Sequence, residues 1–543
     1  MHSIFIQYVY LILIILGLVM VANKLRLAYP IVLVLGGLAL SFSTKFSNIT
    51  IDPELVFFIF LPPLLYEAAW QISWKEFWKW RRVITVFAFP IVVITALVIA
   101  LVSSALIPGF TLALGFLLGA IISPPDAISA TTIMRRVNVS RSLVSIVEGE
   151  SLLNDASSLI VFRFAIAAVV TGQFHFREAA VSFFLVVLMG ILIGLLVGTI
   201  FYAIHRWLPT TPSIEIVLTV VTPYCMYYLA ESFHFSGVLA VVSGGLFLSN
   251  RRQRMLNFRS RIEGVNVWNS LVFVLNGFIF MLLGLQLPAV TRQLGDTSLS
   301  KAIGYGLLIS IVLIVTRMFC TLIASPFSTL MSRFITVADP HPGWKNPIIL
   351  GWSGMRGVVS LAMALSIPLV AGEGTPFPYR NLILFITFIV ILLTLVFQGL
   401  TLPWVIQKVK PGDKYFGIPE HEQELLIERM TAKASLQFLE QEYGEQRVDN
   451  EYVEILFRRL QIDLRSLDQN FDESNGPREE SSKKYRSIYL QLLEHQRQVL
   501  NEMNNSANVD EELIRKYLSL IDLEEYKIQE RLALHRGRPK NKT

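Results

Sequence analysis

Charge is what this sequence lacks most. Asp, Glu, Lys and Arg make up 16% of its 543 residues, against 53% hydrophobic residues, whereas a soluble domain carries about 25% charged residues. So little solvated surface argues against a water-soluble globule of this length. Cysteine is nearly absent too. Cys225 and Cys320 both lie inside apolar runs without a CxxC partner, which argues against a disulfide framework or a thiolate metal site. The eight histidines are scattered without metal-ligand spacing. Residues 4–21 have neither an n-region charge nor a small-residue cleavage site, so this first apolar run reads as a retained span rather than a signal peptide. No motif of an enzyme or of a resident cofactor is found, and neither is expected. The net charge of +6 does not point to nucleic acid, because the basic residues cluster in short loops beside apolar runs.

What is present divides into two environments. Up to about Lys408 the chain is a near-continuous series of apolar runs, and beyond it charged residues dominate. A span needs about 20 apolar residues, which predicts about thirteen transmembrane helices: 4–22, 27–44, 53–71, 83–107, 110–134, 142–171, 179–204, 213–231, 236–249, 265–288, 302–326, 346–371 and 381–407. Backbone polar groups cannot stay unpaired in hydrocarbon, so these runs must be helical. Lys and Arg crowd alternate loops: Lys75, Lys79, Arg81 and Arg82; Arg135, Arg136 and Arg141; Arg251, Arg252, Arg254, Arg259 and Arg261. The bias places the N-terminus outside a cell or inner membrane and residues 409–543 in the cytoplasm. This tail reads as helices over Glu420–Tyr443, Glu451–Leu467, Lys483–Met503 and Glu511–Leu534, forming a small bundle or a dimer contact.

Ionisable residues inside a span are expensive and mark function by default. In the fifth span, Ile122-Ser-Pro-Pro-Asp-Ala127 sets two prolines in succession. They break the helix and leave free carbonyls beside the Asp126 carboxylate, which also suits the cap of a following half-helix. The sixth span carries Glu148-Gly-Glu-Ser-Leu-Leu-Asn-Asp155. Ser151 and Asp155 are four apart, as are Glu150 and Asn154, so one face gathers carboxylates, a hydroxyl and an amide. Glu148 fits a helix N-terminus; Asp155 does not, because a long apolar stretch follows it. In the twelfth span, Gly351-Trp-Ser-Gly-Met-Arg-Gly357 holds three glycines that weaken the helix. Arg356 there requires an anionic partner, and Glu150 is the expected one. Glu67, in Leu61-Pro-Pro-Leu-Leu-Tyr-Glu67 of the third span, either reaches the ion path or rests near the cytoplasmic interface beside Trp70 and Lys75. Arg163 and Arg317 read as cations with structural partners. The two broken spans are each the middle of a triplet, four to six and eleven to thirteen. The triplets have opposite orientation, as in transporters built from inverted repeats whose discontinuous helices meet at the midplane.

Ser123-Pro-Pro-Asp126, Glu150-Ser-Leu-Leu-Asn-Asp155 and Gly354-Met-Arg-Gly357 resemble the signature stretches of the monovalent cation–proton antiporter-1 family, in its bacterial NhaP-type and YjcE-like branch. The resemblance extends over residues 1–408. It implies a homodimer whose core comprises spans within 82–171 and 302–408, with a dimerisation part from spans within 4–71 and 179–288. It implies that Asp155 is the essential ion- and proton-binding carboxylate. Sodium would sit at Asp155, Asp126 and Ser151, with Glu67 assisting; Asn154 would brace the two broken helices and Glu150 would pair with Arg356. The sequence departs from the family pattern at Pro125, where Thr is usual, and at Ala127, where Pro is usual. Pro125 keeps the backbone carbonyl through which Thr would bind the ion.

A carboxyl group withdrawn from water is favoured in its neutral form, and a bound sodium neutralises it as well as a proton does. The two therefore compete for one aspartate. The expected activity is electroneutral exchange of sodium for protons by elevator-like alternating access. A potassium- or lithium-preferring antiporter has the same architecture. A channel would line a continuous pore with rings of carbonyls or charges, and a sensor would need a signalling motif in the tail.

Overall fold

The computed structural model describes residues 2–25, 27–43, 56–137, 139–172, 176–292, 294, 298–331, 333, 339, 343–371, 375–411, 420–444, 450–471, 476–504 and 511–536. The chain separates into two compact units, Met1–Gly412 and Asp413–Thr543.

In the first unit each expected span is helical over most of its described residues. The elements are α1 (His2–Leu25), α2 (Tyr29–Leu40), α3 (Leu61–Gln71), α4 (Trp74–Leu106), α5 (Leu112–Ile122), α6 (Ala127–Arg136), α7 (Arg141–Thr171), α8 (Phe176–Trp207), α9 (Pro212–Ser232), α10 (Gly237–Ser249), α11 (Phe258–Leu285), α12 (Leu299–Met331), α13 (Lys345–Trp352), α14 (Val358–Leu365) and α15 (Arg380–Val409). Among the described residues eight helical stretches are long and apolar enough to cross a membrane, and three apolar helices are shorter. The protein is a helical membrane protein with two interrupted spans, α5–α6 and α13–α14.

Two departures from the expected boundaries are instructive. α4 begins at Trp74, so Lys75, Lys79, Arg81 and Arg82 lie on a helix rather than in a loop. Ser73 caps it by accepting from the Glu76 amide at 3.4 Å, and Arg81 stacks over Trp78 at 4.5 Å. Tryptophan and long basic side chains are at home together at a membrane interface, so charge there does not end a helix. At the other end, α14 stops at Leu365 rather than continuing to 371. Pro368 disfavours helical backbone just before it, and Val370–Ala371 instead pairs antiparallel with Thr375–Pro376.

Small residues let these helices approach closely, the usual basis of packing in lipid. A Cβ added at Gly115 would lie 2.7 Å from the Ala100 backbone, and one at Gly119 would lie 2.7 Å from the Ala96 Cα, so α4 and α5 meet nearly backbone to backbone. The apolar interior forms two clusters. One joins α4, α5, the far end of α7, α12, α14 and α15 around Leu117, Ile121, Phe162, Leu313, Met363 and Phe385. The other joins α3, α8, α9 and α10 around Tyr66, Val197, Met226 and Val241, and takes in Leu152 and Ala156 of α7. α7 thus touches both.

The second unit holds α16 (Glu420–Tyr443), α17 (Glu451–Phe471), α18 (Gly476–Asn504) and α19 (Glu511–Arg536). Its first helix has the predicted limits and the others run longer. Buried side chains are Phe457, Leu493, Ile514 and Ile521. Arg497 on α18 donates to Asp522 at 2.7 Å, to Glu525, and to Glu494 at 3.2 Å. These bonds, that to Asp522 foremost, raise its already high pKa further.

Candidate cation site

The first break follows from its prolines, which supply no N–H to continue α5. α6 starts afresh at Ala127 with Asp126 as its N-cap. The Asp126 carboxylate accepts from the Ile128 and Ser129 amides at 3.3 and 3.4 Å and from the Ser129 hydroxyl at 2.9 Å. An anion here is stabilised by the amides at the start of α6.

The second break, Ser353 to Gly357, passes against the first. The Asp126 amide donates to the Met355 carbonyl at 2.6 Å. Arg356, fully buried, donates to the Ile122 carbonyl at 2.8 Å, to Ser123 at 3.2 Å and to Gly354. Its guanidinium thereby covers the carbonyl end of α5, where a cation is favoured. Its own amide donates to Thr394 Oγ1 at 3.1 Å. Gly357 is needed for this approach: an added Cβ would lie 2.7 Å from both Asp126 Cβ and Cγ.

α7 turns a polar face to the first break. Ser151 Oγ accepts from the Ala127 amide at 3.2 Å, and Asn154 Nδ2 donates to the Pro125 carbonyl at 3.2 Å. One turn on, Ser158 donates to the Ala120 carbonyl at 2.5 Å. Between them Asp155 is 7% exposed. Among the described residues its carboxylate makes no hydrogen bond or ion pair, while the Asp126 carboxylate is near enough to act on it electrostatically.

A cavity of about 310 Å³ brings Asp155, Asp126, Ser151, Pro125 and Glu67 together. Glu67 of α3 lies on the cavity wall, bonded to Gln71. Arg135 and Glu148 also line the cavity and form an ion pair at 2.7 Å. The cavity wall also carries polar residues beyond those expected from the sequence, notably Tyr29, Thr131, Thr132, Asn276 and Ser360. Asn276 and Ser360 left a signal, each being a lone polar residue in an apolar run; Tyr29 left none.

The expected pairing of Glu150 with Arg356 is overturned. Glu150, 1% exposed, takes a two-pronged bond from Arg317 of α12, at 2.7 Å to Oε1 and 2.9 Å to Oε2. One guanidinium fork engages both carboxylate oxygens in this way, and the carbonyls freed at the end of α5 offer Arg356 the acceptors it needs. The bracing expected of Asn154 is also narrower. It bonds the first break alone, and the cross-ties between the breaks are the Asp126 amide and the Arg356 guanidinium. Arg163 pairs with Glu231 of α9 at 2.6 Å.

Comparison with known proteins gives a consistent picture. A family model described as sodium/hydrogen exchanger, transmembrane, matches residues 10–408. An uncharacterized Na(+)/H(+) exchanger of Mycobacterium tuberculosis is 30% identical over 516 residues, 93% of each chain. The sodium, potassium, lithium and rubidium/H(+) antiporter of Bacillus subtilis is 35% identical over 378 residues, 68% of this chain and 56% of the relative. The sodium proton antiporter MjNhaP1 of Methanocaldococcus jannaschii superimposes with a TM-score of 0.60 over 75% of this chain and 99% of its own, at 19% identity, a likeness of fold.

Proposed function

The chain belongs to the sodium/hydrogen exchanger family of secondary transporters, and from that premise we propose that it exchanges one sodium ion for one proton through the Asp155 carboxylate. The observation that carries this reading is a buried aspartate with no protein partner among the described residues, sharing a cavity with Asp126, Ser151 and the Pro125 carbonyl. A bare carboxylate in so buried a setting is unfavourable. Either a proton or an alkali cation removes the charge, and each excludes the other. The Asp126 carboxylate, Ser151 hydroxyl and Pro125 carbonyl supply the oxygens a hard cation takes in place of water.

In this mechanism the neutralised site crosses the membrane barrier and the empty, charged site does not. The moving body comprises α4–α7 and α12–α15, and the remaining helices form the contact of a homodimer. The protein lies in the inner membrane with its N-terminus outside and its tail in the cytoplasm. Asp126 is bonded to three donors of α6 and serves in this reading as a ligand; a second proton carried there would break the electroneutral exchange. The substrates named for the Bacillus subtilis antiporter favour a second reading in which potassium, lithium or rubidium is also carried.

The test is a pH-dye assay in proteoliposomes holding the full chain. Asp155→Asn is expected to lose sodium-driven proton flux while remaining folded. Flux at the wild-type rate in that variant would overturn the assignment.

A further inference from the structure

Two polar side chains on the cavity wall each carry an oxygen that is unpartnered among the described residues. Asn276 of α11 is 3% exposed and Ser360 of α14 is 1% exposed, and both line the cavity that holds the carboxylates. Asn276 Oδ1 and Ser360 Oγ lack any hydrogen-bond partner among the described residues. Burying an acceptor without a donor is unfavourable, so these oxygens need a reason to be there. Packing does not give one. Leu275 and Gly277 flank Asn276 and are buried apolar positions, with Gly277 lying so close to Ile15 that an added Cβ would be 2.8 Å from it. An apolar side chain would serve the packing at 276 better than an amide.

We propose that Asn276 Oδ1 and Ser360 Oγ are accessory ligands of the transported alkali cation, replacing part of its water shell and setting the preference for sodium over potassium. This rests on the reading that the cation is neutralised at Asp155. Hard cations are held by oxygen donors, and neutral oxygens beside the carboxylates add coordination without adding charge. They therefore act on which ion fits rather than on how many charges the site carries. The two oxygens also come from different parts of the fold. Ser360 follows the second break and is one residue from the cavity-lining Val359, whereas Asn276 sits on α11, which packs against α1 and α2 through Gly277 and Gly284. A cation bonded to both bridges the broken span and the helix facing it.

The experiment measures proton flux by the reconstituted full chain against sodium, lithium and potassium chloride. Asn276→Leu and Ser360→Ala are each expected to raise the half-saturating sodium concentration by up to about tenfold, the effect of one lost polar ligand, with a smaller change for potassium. Asn276→Asp retains an oxygen and should not weaken sodium. A sodium-to-potassium ratio that is unmoved in Asn276→Leu and Ser360→Ala, while Asp155→Asn still abolishes flux, overturns this inference and leaves the Asp155 reading intact. Equal weakening for all three cations assigns the residues a structural role and also overturns it. Should Asn276→Leu fail to fold, Ser360→Ala decides by the same ratio. Wild-type flux in Asp155→Asn would instead remove the reading beneath.

Discussion

The two interrupted helices reach the same outcome by opposite chemistry. The first is broken by Pro124 and Pro125, which subtract backbone donors, and it presents a carboxylate at the start of α6. The second is broken around Gly354 and Gly357, which add no atoms, and it presents a guanidinium to the end of α5. Proline frees carbonyls; glycine clears the space through which another chain segment reaches them. The carboxylate meets the amide end of one half-helix and the guanidinium meets the carbonyl end of the other. Each charge is thus placed where its local dipole favours it, although neither meets the other directly.

That contrast is open to direct disruption. Arg356→Met should have the largest effect. It leaves the Ile122, Ser123 and Gly354 carbonyls without their buried donor, at a cost on the order of 3–5 kcal/mol. A large drop in the thermal unfolding midpoint in detergent is expected, with loss of exchange; an unchanged midpoint would show that the carbonyls find other donors. Gly357→Ala comes next. Its methyl group would collide with Asp126, and overpacking of this kind costs about 1–3 kcal/mol. Reduced exchange with a modest fall in midpoint is expected, and a neutral result would mean that the crossing is looser than the 2.7 Å approach implies. Pro125→Thr should be mildest, within about 1 kcal/mol, because the carbonyl that accepts from Asn154 belongs to the backbone and survives the change. Were it more damaging than Gly357→Ala in the same melt, proline would be holding the first break in shape rather than only freeing its carbonyls.

Much of this was legible in the sequence because hydrophobic length and Pro-Pro and Gly-rich interruptions are local signals. They located the spans, both breaks and the acidic face of α7. The partner of Glu150 was not legible. Arg317 lies in a span that is apolar on all sides, so no amphipathic stripe tells which way it faces. Arg356 lies in an unwound stretch where helical periodicity predicts no direction at all. The cavity-lining role of Asn276 required knowing that α11 shares the cavity with α7, a matter of packing between segments more than a hundred residues apart. α4 and α11 start earlier than their apolar runs predict, at Trp74 and Phe258, because basic residues beside an aromatic side chain also begin a helix at an interface.

The tie between Arg356 and Ile122 spans 234 positions of the chain. At about 5–20 residues per second, a ribosome finishes the first break on the order of 10–50 s before it supplies the guanidinium that completes it. During that interval the nascent protein carries exposed carbonyls and an unmatched Asp126 amide among its early helices. Insertion of the twelfth span is therefore the step that closes the site, and a chain truncated before it would leave the membrane with a half-finished crossing for the quality-control machinery to remove.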